Sequence, residues 1–290
     1  MTEILQLLIS GLILGGIYSL IALGMAMIYK ASDVVNFAQG EFVMVGAYFG
    51  IVFHMILGIL FPLAFLLSLV AGFVLGMLIP RFPLRPLIQA SPFTIIVATL
   101  GVGLILKNGI RLIFEDNLYS LSTPFSKAPI DVAGILMTQL GLFIVGVSIF
   151  FTVFTFVFFT YTKKGKAWRA LAQSHLGALV VGIDIKKELT LLWGASAALA
   201  TVGGLLIAPL YGAHPEMGFI ILPAFCACIL GGFSSMVGAA AGGFILGVTQ
   251  TFAAAYTSAA AKDIFAFVLM IVVILVRPQG LFGKPITRRV

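Results

Sequence analysis

From Ile4 to Tyr29 the chain reads ILQLLISGLILGGIYSLIALGMAMIY, without one charged residue. A helix needs about 20 apolar residues to cross roughly 30 Å of bilayer hydrocarbon, so this run alone is long enough to span a membrane. It is also too long for the apolar core of a signal peptide, and Thr2 and Glu3 before it supply no basic leader, so it is expected to stay in the mature protein. Working outward, comparable runs cover 36–57, 58–80, 92–113, 134–160, 188–210, 217–233, 237–256 and 262–277. That makes about nine crossings, within a range of roughly eight to ten. The whole chain has the same character: of 290 residues 61% are apolar and 9% charged, with mean hydropathy +1.18. A soluble domain is excluded by that composition. A membrane β-barrel is excluded by the lack of period-2 alternation. The expected fold class is all-α, a polytopic integral membrane helical bundle forming a single transmembrane domain over 1–290.

The net charge of +7 would suit a nucleic-acid surface, but no basic run interleaves with aromatics in a soluble segment, so no nucleic acid is expected as a partner. Basic residues gather instead where cytoplasmic loops retain them. The loop 162–187 holds Lys163, Lys164, Lys166, Arg169, Lys186 and Lys187 near span ends, which assigns it to the cytoplasm. Counting crossings from it puts Arg81 and Arg85 there too, with the C-terminus and its Arg277, Lys284, Arg288 and Arg289. The N-terminus then lies outside. Glu115, Asp116, Asp131, Glu216 and Asp263 all fall in loops on the outer side, which agrees.

Small-residue spacings at Gly72 and Gly76, Gly238 and Gly242, and Gly243 and Gly247 read as close helix packing. There is also a weak internal repeat: GEFVMVGAYFG from Gly40 to Gly50 aligns without gaps on GFSSMVGAAAG from Gly232 to Gly242. Duplicated units of this kind face a common pathway in many transporters. Cys226 and Cys228 point to different faces of a helix and read as small buried hydrophobes. Enzymatic chemistry finds no support, since His54, His175 and His214 stand apart from any carboxylate or thiol at ligand spacing, and no glycine-rich phosphate loop precedes a lysine. No metal, ATP or other cofactor is expected on this chain.

The costly polar residues are more informative. Asn36, Gln39 and Glu41 fall together at the start of the second apolar run, where even mild scales charge about 2.5–3.5 kcal/mol for an ionised group at mid-membrane. Two readings stay open: a hydrated cytoplasmic helix start with Asp33 or Asn36 as cap, or a broken half helix lining a translocation route, which Gly40 favours. Lys107 poses the same question and is expected to snorkel or to pair in the interior. In the loop, KAWRALAQSHLGALVV from Lys166 to Val181 reads as one amphipathic helix, with Trp168, Leu171, Ala172, His175 and Leu179 on its apolar stripe and Gly182 as its stop. Such a helix lies on a bilayer or docks on another protein. The short stripe favours a protein groove.

Four stretches carry a resemblance to a known family. Residues 36–48, NFAQGEFVMVGAY, resemble the NFAxGEFxMxGAY signature of permease subunits in ATP-binding-cassette importers of the branched-chain amino-acid (Liv) type. Arg169, Ala170, Ala172, Ala178 and Gly182-Ile183-Asp184 resemble that family's ATPase-facing loop, with Ser174 in place of its usual aspartate. Gly231-Gly232, Ser235 and Gly238-Ala239 resemble its GGxGSxxGA turn, with Phe233-Ser234 departing from it, and 277–283, RPQGLFG, match its C-terminal motif. The resemblance implies a permease in a bacterial-type inner membrane that works with a second homologous permease in a heterodimer, two ABC ATPase subunits that bind ATP and magnesium, and a periplasmic or tethered substrate-binding protein. It also implies amino-acid cargo, with urea, short amides or another small solute as the alternative. The resemblance implies ATPase coupling for Arg169, Ala170, Ala172, Ala178 and Gly182, while the polar cost and the repeat place Asn36, Gln39, Gly40, Glu41 and Gly232 along the substrate pathway, with Gln39 and Glu41 as a gate at its cytoplasmic end. A stand-alone secondary transporter or channel would call for more intramembrane carboxylates than Glu41.

Overall fold

The computed structural model describes residues 2–82, 90–126, 128–132, 135–258 and 261–283. Arg85, Lys284, Arg288 and Arg289, used above for sidedness, lie outside them. Eleven α-helices are present among the described residues: α1 (Thr2–Ser32), α2 (Gln39–Gly50), α3 (Phe61–Arg81), α4 (Pro92–Phe114), α5 (Gln139–Tyr161), α6 (Lys163–Gln173), α7 (His175–Val180), α8 (Ile185–Tyr211), α9 (Ile221–Gly231), α10 (Met236–Tyr256) and α11 (Ala261–Val276). A π turn, Ile51–Ile56, prolongs α2, and a 3-10 turn, Pro215–Ile220, precedes α9.

Among the described residues, seven helices are long and apolar enough to cross a membrane, α2 reaching that length only with its π turn. The expected polytopic bundle is therefore present. The runs at 217–233 and 262–277 are shorter elements, a turn plus an 11-residue α9 and a 16-residue α11. The run at 134–160 also differs from expectation. Its helix starts at Gln139, because Ile135–Thr138 (β2) pairs antiparallel with Pro129–Val132 (β1). A short apolar run does not by itself distinguish strand from helix, and here backbone pairing decides.

Helix limits follow local chemistry. Ser91 caps α4 by accepting from the Thr94 amide at 3.3 Å, with Pro92 next in the chain, where a missing amide proton costs nothing. Asp184 caps α8 the same way through the Lys187 amide at 3.1 Å.

The chain divides into two compact units. One comprises 27–124 and 153–221. Its centre is α8, whose most apolar window is 83% buried against 17% for α4, so α8 forms the interior and α4 turns an apolar face outward, as a lipid-facing helix does. Helices α2 and α3 pack on α8 at near backbone distance. A Cβ at Gly204 would overlap the Val43 carbonyl, and one at Gly76 would overlap Ala197. The small residues thus exchange side-chain volume for close approach, which is how membrane helices gain packing without a hydrophobic drive between them.

The other unit comprises 1–26, 125–152 and 222–290. Here α10 meets α1, with Gly247 against Gly15 and Gly243 against Ser19, and α9 with Gly242 near Ala227. Cys226 and Cys228 are fully buried in α9. The internal repeat is helical in both copies only from its Met-Val-Gly-Ala core onward, since Gln39–Gly50 is helix throughout whereas 232–235 is a turn before α10.

Candidate functional site

Between α1 and α2 the chain leaves helical geometry. Asp33 adopts a positive φ of 52°, and the backbone stays irregular to Ala38. Irregular backbone at membrane depth survives only if its polar groups find partners. Asn36 Oδ1 accepts from the Ala38 amide at 3.0 Å, and Asn36 Nδ2 donates to Gln39 Oε1 at 3.3 Å. Gln39 Nε2 donates to the Ser196 carbonyl of α8 at 3.2 Å, while the Ser196 hydroxyl donates back to Gln39 Oε1 at 3.1 Å. The Phe37 amide donates to Thr99 Oγ1 of α4 at 3.2 Å. Asn36, Gln39, Thr99 and Ser196 are all fully buried. The first two therefore fasten the start of α2 to α8.

Gly40 makes the next contact. A Cβ there would overlap the Gly218 carbonyl oxygen of the 3-10 turn. Glu41 then projects between two bare positions: a Cβ at Gly103 of α4 would lie 3.2 Å from Glu41 Cγ, and one at Gly218 2.5 Å from Glu41 Oε2. That oxygen is buried and has no hydrogen-bond partner. Glu41 sits opposite the middle of α4, deeper than the helix start its sequence position suggests.

Thr99, Gly103, Lys107 and Arg111 recur every four residues and so share one face of α4. Over about 18 Å of helix rise this face meets, in turn, Phe37, Glu41 and Glu216. Lys107 pairs with Glu216, which also accepts from Arg111 at 2.9 Å, and Arg111 reaches Asp116 at 2.7 Å. Lys107 is thus paired within the unit. Sequence reasoning missed Thr99, Gly103, Ser196 and Gly218. The four-residue spacing on α4 was the available signal for the first two.

Gly232 lies in the other unit, in the turn between α9 and α10, with a φ of 103° that suits glycine. A Cβ there would fall 2.7 Å from the Gln279 carbonyl. The Leu281 and Phe282 amides donate to the Leu230 and Gly231 carbonyls at 2.8 and 3.1 Å. The third and fourth resembling motifs therefore fold as one piece.

The 162–187 loop differs from the single helix expected. It breaks at Ser174, which takes extended geometry and caps α7 through the Gly177 amide at 3.0 Å. Serine at that place competes for backbone groups better than it continues a helix. Aspartate would cap equally well, so the departure from the resembling pattern conserves the chemistry. Replacing Ser174 with Ala is expected to weaken α7 by about 1 kcal/mol, read as faster amide exchange over 175–180, and Ser174→Asp to leave exchange unchanged.

The stripe of α6 is spent within the chain. Trp168 and Leu171 are buried, and the Trp168 indole donates to Glu188 at 2.9 Å and packs on Phe158 and Phe159. Lys164 also pairs with Glu188. Arg169 donates to the Thr160 carbonyl at 3.0 Å, Ala170 and Ala172 are half-buried, and Ala178 is buried. Exposed instead are Leu176 at 77%, Val180 at 87% and Val181 at 70%, followed by exposed Gly182 at φ 79°. This bare apolar patch is what the broken helix presents.

A family model described as the permease component of branched-chain amino acid transport systems matches residues 7–274. The chain belongs to this family. The permease is 32% identical to the high-affinity branched-chain amino acid transport system permease protein LivH of Salmonella typhimurium, covering 99% of this chain and 97% of that one. It is 31% identical to BraD of Pseudomonas aeruginosa, a permease protein of a system named for the same cargo, over 99% and 98%. Among solved structures, PsaBC from Streptococcus pneumoniae in complex with Fab shares the fold at a TM-score of 0.52 and 15% identity, covering 93% of this permease and 91% of that chain. With its membrane-spanning helices, the permease is a multi-pass membrane protein and a transport subunit.

Proposed function

We propose that this permease carries branched-chain amino acids inward across a bacterial-type inner membrane. In this reading it works as one of two homologous permeases, driven by two ABC ATPases that bind ATP and magnesium and fed by a substrate-binding protein outside. The observation that carries the coupling is the apolar patch on α7. Leu176, Val180 and Val181 form a bare apolar patch outside the long spans, and in this reading it is the surface that an ATPase covers. The cargo is that of the LivH and BraD systems by name. The sidedness follows the lysines of 162–187, with the C-terminus inside and the N-terminus outside. The bonds from 281–282 to 230–231 support it, because they require α10 and α11 to leave and return to one side.

Along the route, Glu41 offers its unpartnered oxygen to passing cargo, while Asn36, Gln39 and Gly40 hold α2 where Glu41 can do so. An importer must release what it carries, so Glu41 acts as a gate and forms no tight site. Proteoliposomes holding the complete complex should take up labelled leucine, with competition by isoleucine and valine and none by urea or acetamide. Glu41→Gln should slow uptake several-fold with little change in half-saturating concentration. Uptake of urea or acetamide in place of leucine would refute the cargo. A change confined to half-saturation would refute the gate.

A further inference from the structure

The ends of α3, α4 and α8 enclose a cavity of about 590 Å³ that none of the roles above uses. Its apolar lining is Met77 of α3, Ile95 of α4, and Leu189 and Trp193 of α8, which stand about one to two turns inward from their helix ends and form its floor. Its mouth is basic. Arg81 is the last residue of α3, and Lys186 and Lys187 lie in the first turn of α8. None of these three cations has an ion pair among the described residues. Asp184, the one carboxylate in the lining, is occupied as the cap of α8.

Three helix ends converge there, so the mouth stands at the level of the bilayer surface and the floor reaches toward the hydrocarbon. We propose that this cavity holds one anionic phospholipid, its phosphate among Arg81, Lys186 and Lys187 and the start of an acyl chain on Met77, Ile95, Leu189 and Trp193. Basic pockets between membrane helices suit such headgroups. A free phosphate would satisfy the mouth but leave the apolar floor facing water, whereas an acyl chain covers it.

The site also touches the coupling segment. His175 of α7 lines the cavity and bonds through Nε2 to the Ala31 carbonyl at 2.8 Å, and Ile185 at the start of α8 forms another part of the wall. A bound lipid would therefore contact α7 at His175.

The test is retention of phosphatidylglycerol by the full-length permease, taken from nanodiscs of phosphatidylcholine containing a minor share of phosphatidylglycerol and read by native mass spectrometry. The wild type should keep one phosphatidylglycerol. Removing cations by Arg81→Gln, Lys186→Gln and Lys187→Gln should weaken retention about fivefold for each charge lost. Lys163→Gln with Lys166→Gln, which removes exposed charges of α6 outside the cavity, should not change it. Should the triple variant fold poorly, Arg81→Gln alone reads the same effect. Equal loss in the α6 variant would reduce the site to general surface attraction and overturn the proposal. Displacement by inorganic phosphate, or no retained lipid, would overturn it too. Retention is read without transport, so failure here leaves the cargo reading standing.

Discussion

A methyl group at Gly40 is expected to destabilise the permease, and a larger side chain there to cost it its fold. The added Cβ would overlap the Gly218 carbonyl, and its next neighbour is Ile221 Cβ at 2.9 Å. The first obstacle is backbone, so no side chain can rotate away from it. Either α2 or the 3-10 turn must move, and α2 is fastened one residue earlier by Gln39 to Ser196. Overpacking of this kind costs about 1–3 kcal/mol, and each buried hydrogen bond stretched in relief adds about 1 kcal/mol. Gly40→Ala should lower thermal stability measurably, and Gly40→Val should leave little monodisperse protein after extraction in detergent. Gly101 of α4 is the control, since nothing lies within 4 Å of a Cβ there. Gly101→Ala should be neutral or slightly stabilising. Equal behaviour of the Gly40 and Gly101 variants would show that the backbone contact at Gly218 does not constrain the fold.

The membrane class and seven of the nine apolar segments were legible as spans because hydrocarbon thickness imposes a length on sequence, as Ile4–Tyr29 shows. Small-residue spacing at Gly72 and Gly76 likewise announced a packed face, which lies against α8. What the pattern could not announce was partner choice over long separations. Gln39 meets Ser196 across more than half the chain, and the turn at Gly232 meets the segment ending at Gly283. Neither contact has a period. Composition also misled in the loop, where Trp168, Leu171, His175 and Leu179 keep helical spacing across Ser174 although the backbone breaks there. The break redirects the surface. The alanines named from the motif, Ala170, Ala172 and Ala178, are half-buried or buried, and the residues that project are Leu176, Val180 and Val181. A strong capping residue inside a helical pattern was the one readable sign.

The coupling claim makes the second large prediction. Val180 is 87% exposed, so an arginine there disturbs little within the permease itself. In a closed contact with an ATPase the same charge would be stripped of water without a partner, at a cost of several kcal/mol. A loss of about 1.4 kcal/mol already weakens association tenfold. Membrane insertion and the amide protection of α6 should survive, because Trp168 and Glu188 hold that helix independently of Val180. The decisive measurement is substrate-stimulated ATP hydrolysis by the complete complex in proteoliposomes, wild type against Val180→Arg. The account predicts that stimulation falls at least about tenfold while the permease remains inserted. Stimulated hydrolysis equal to wild type would contradict it.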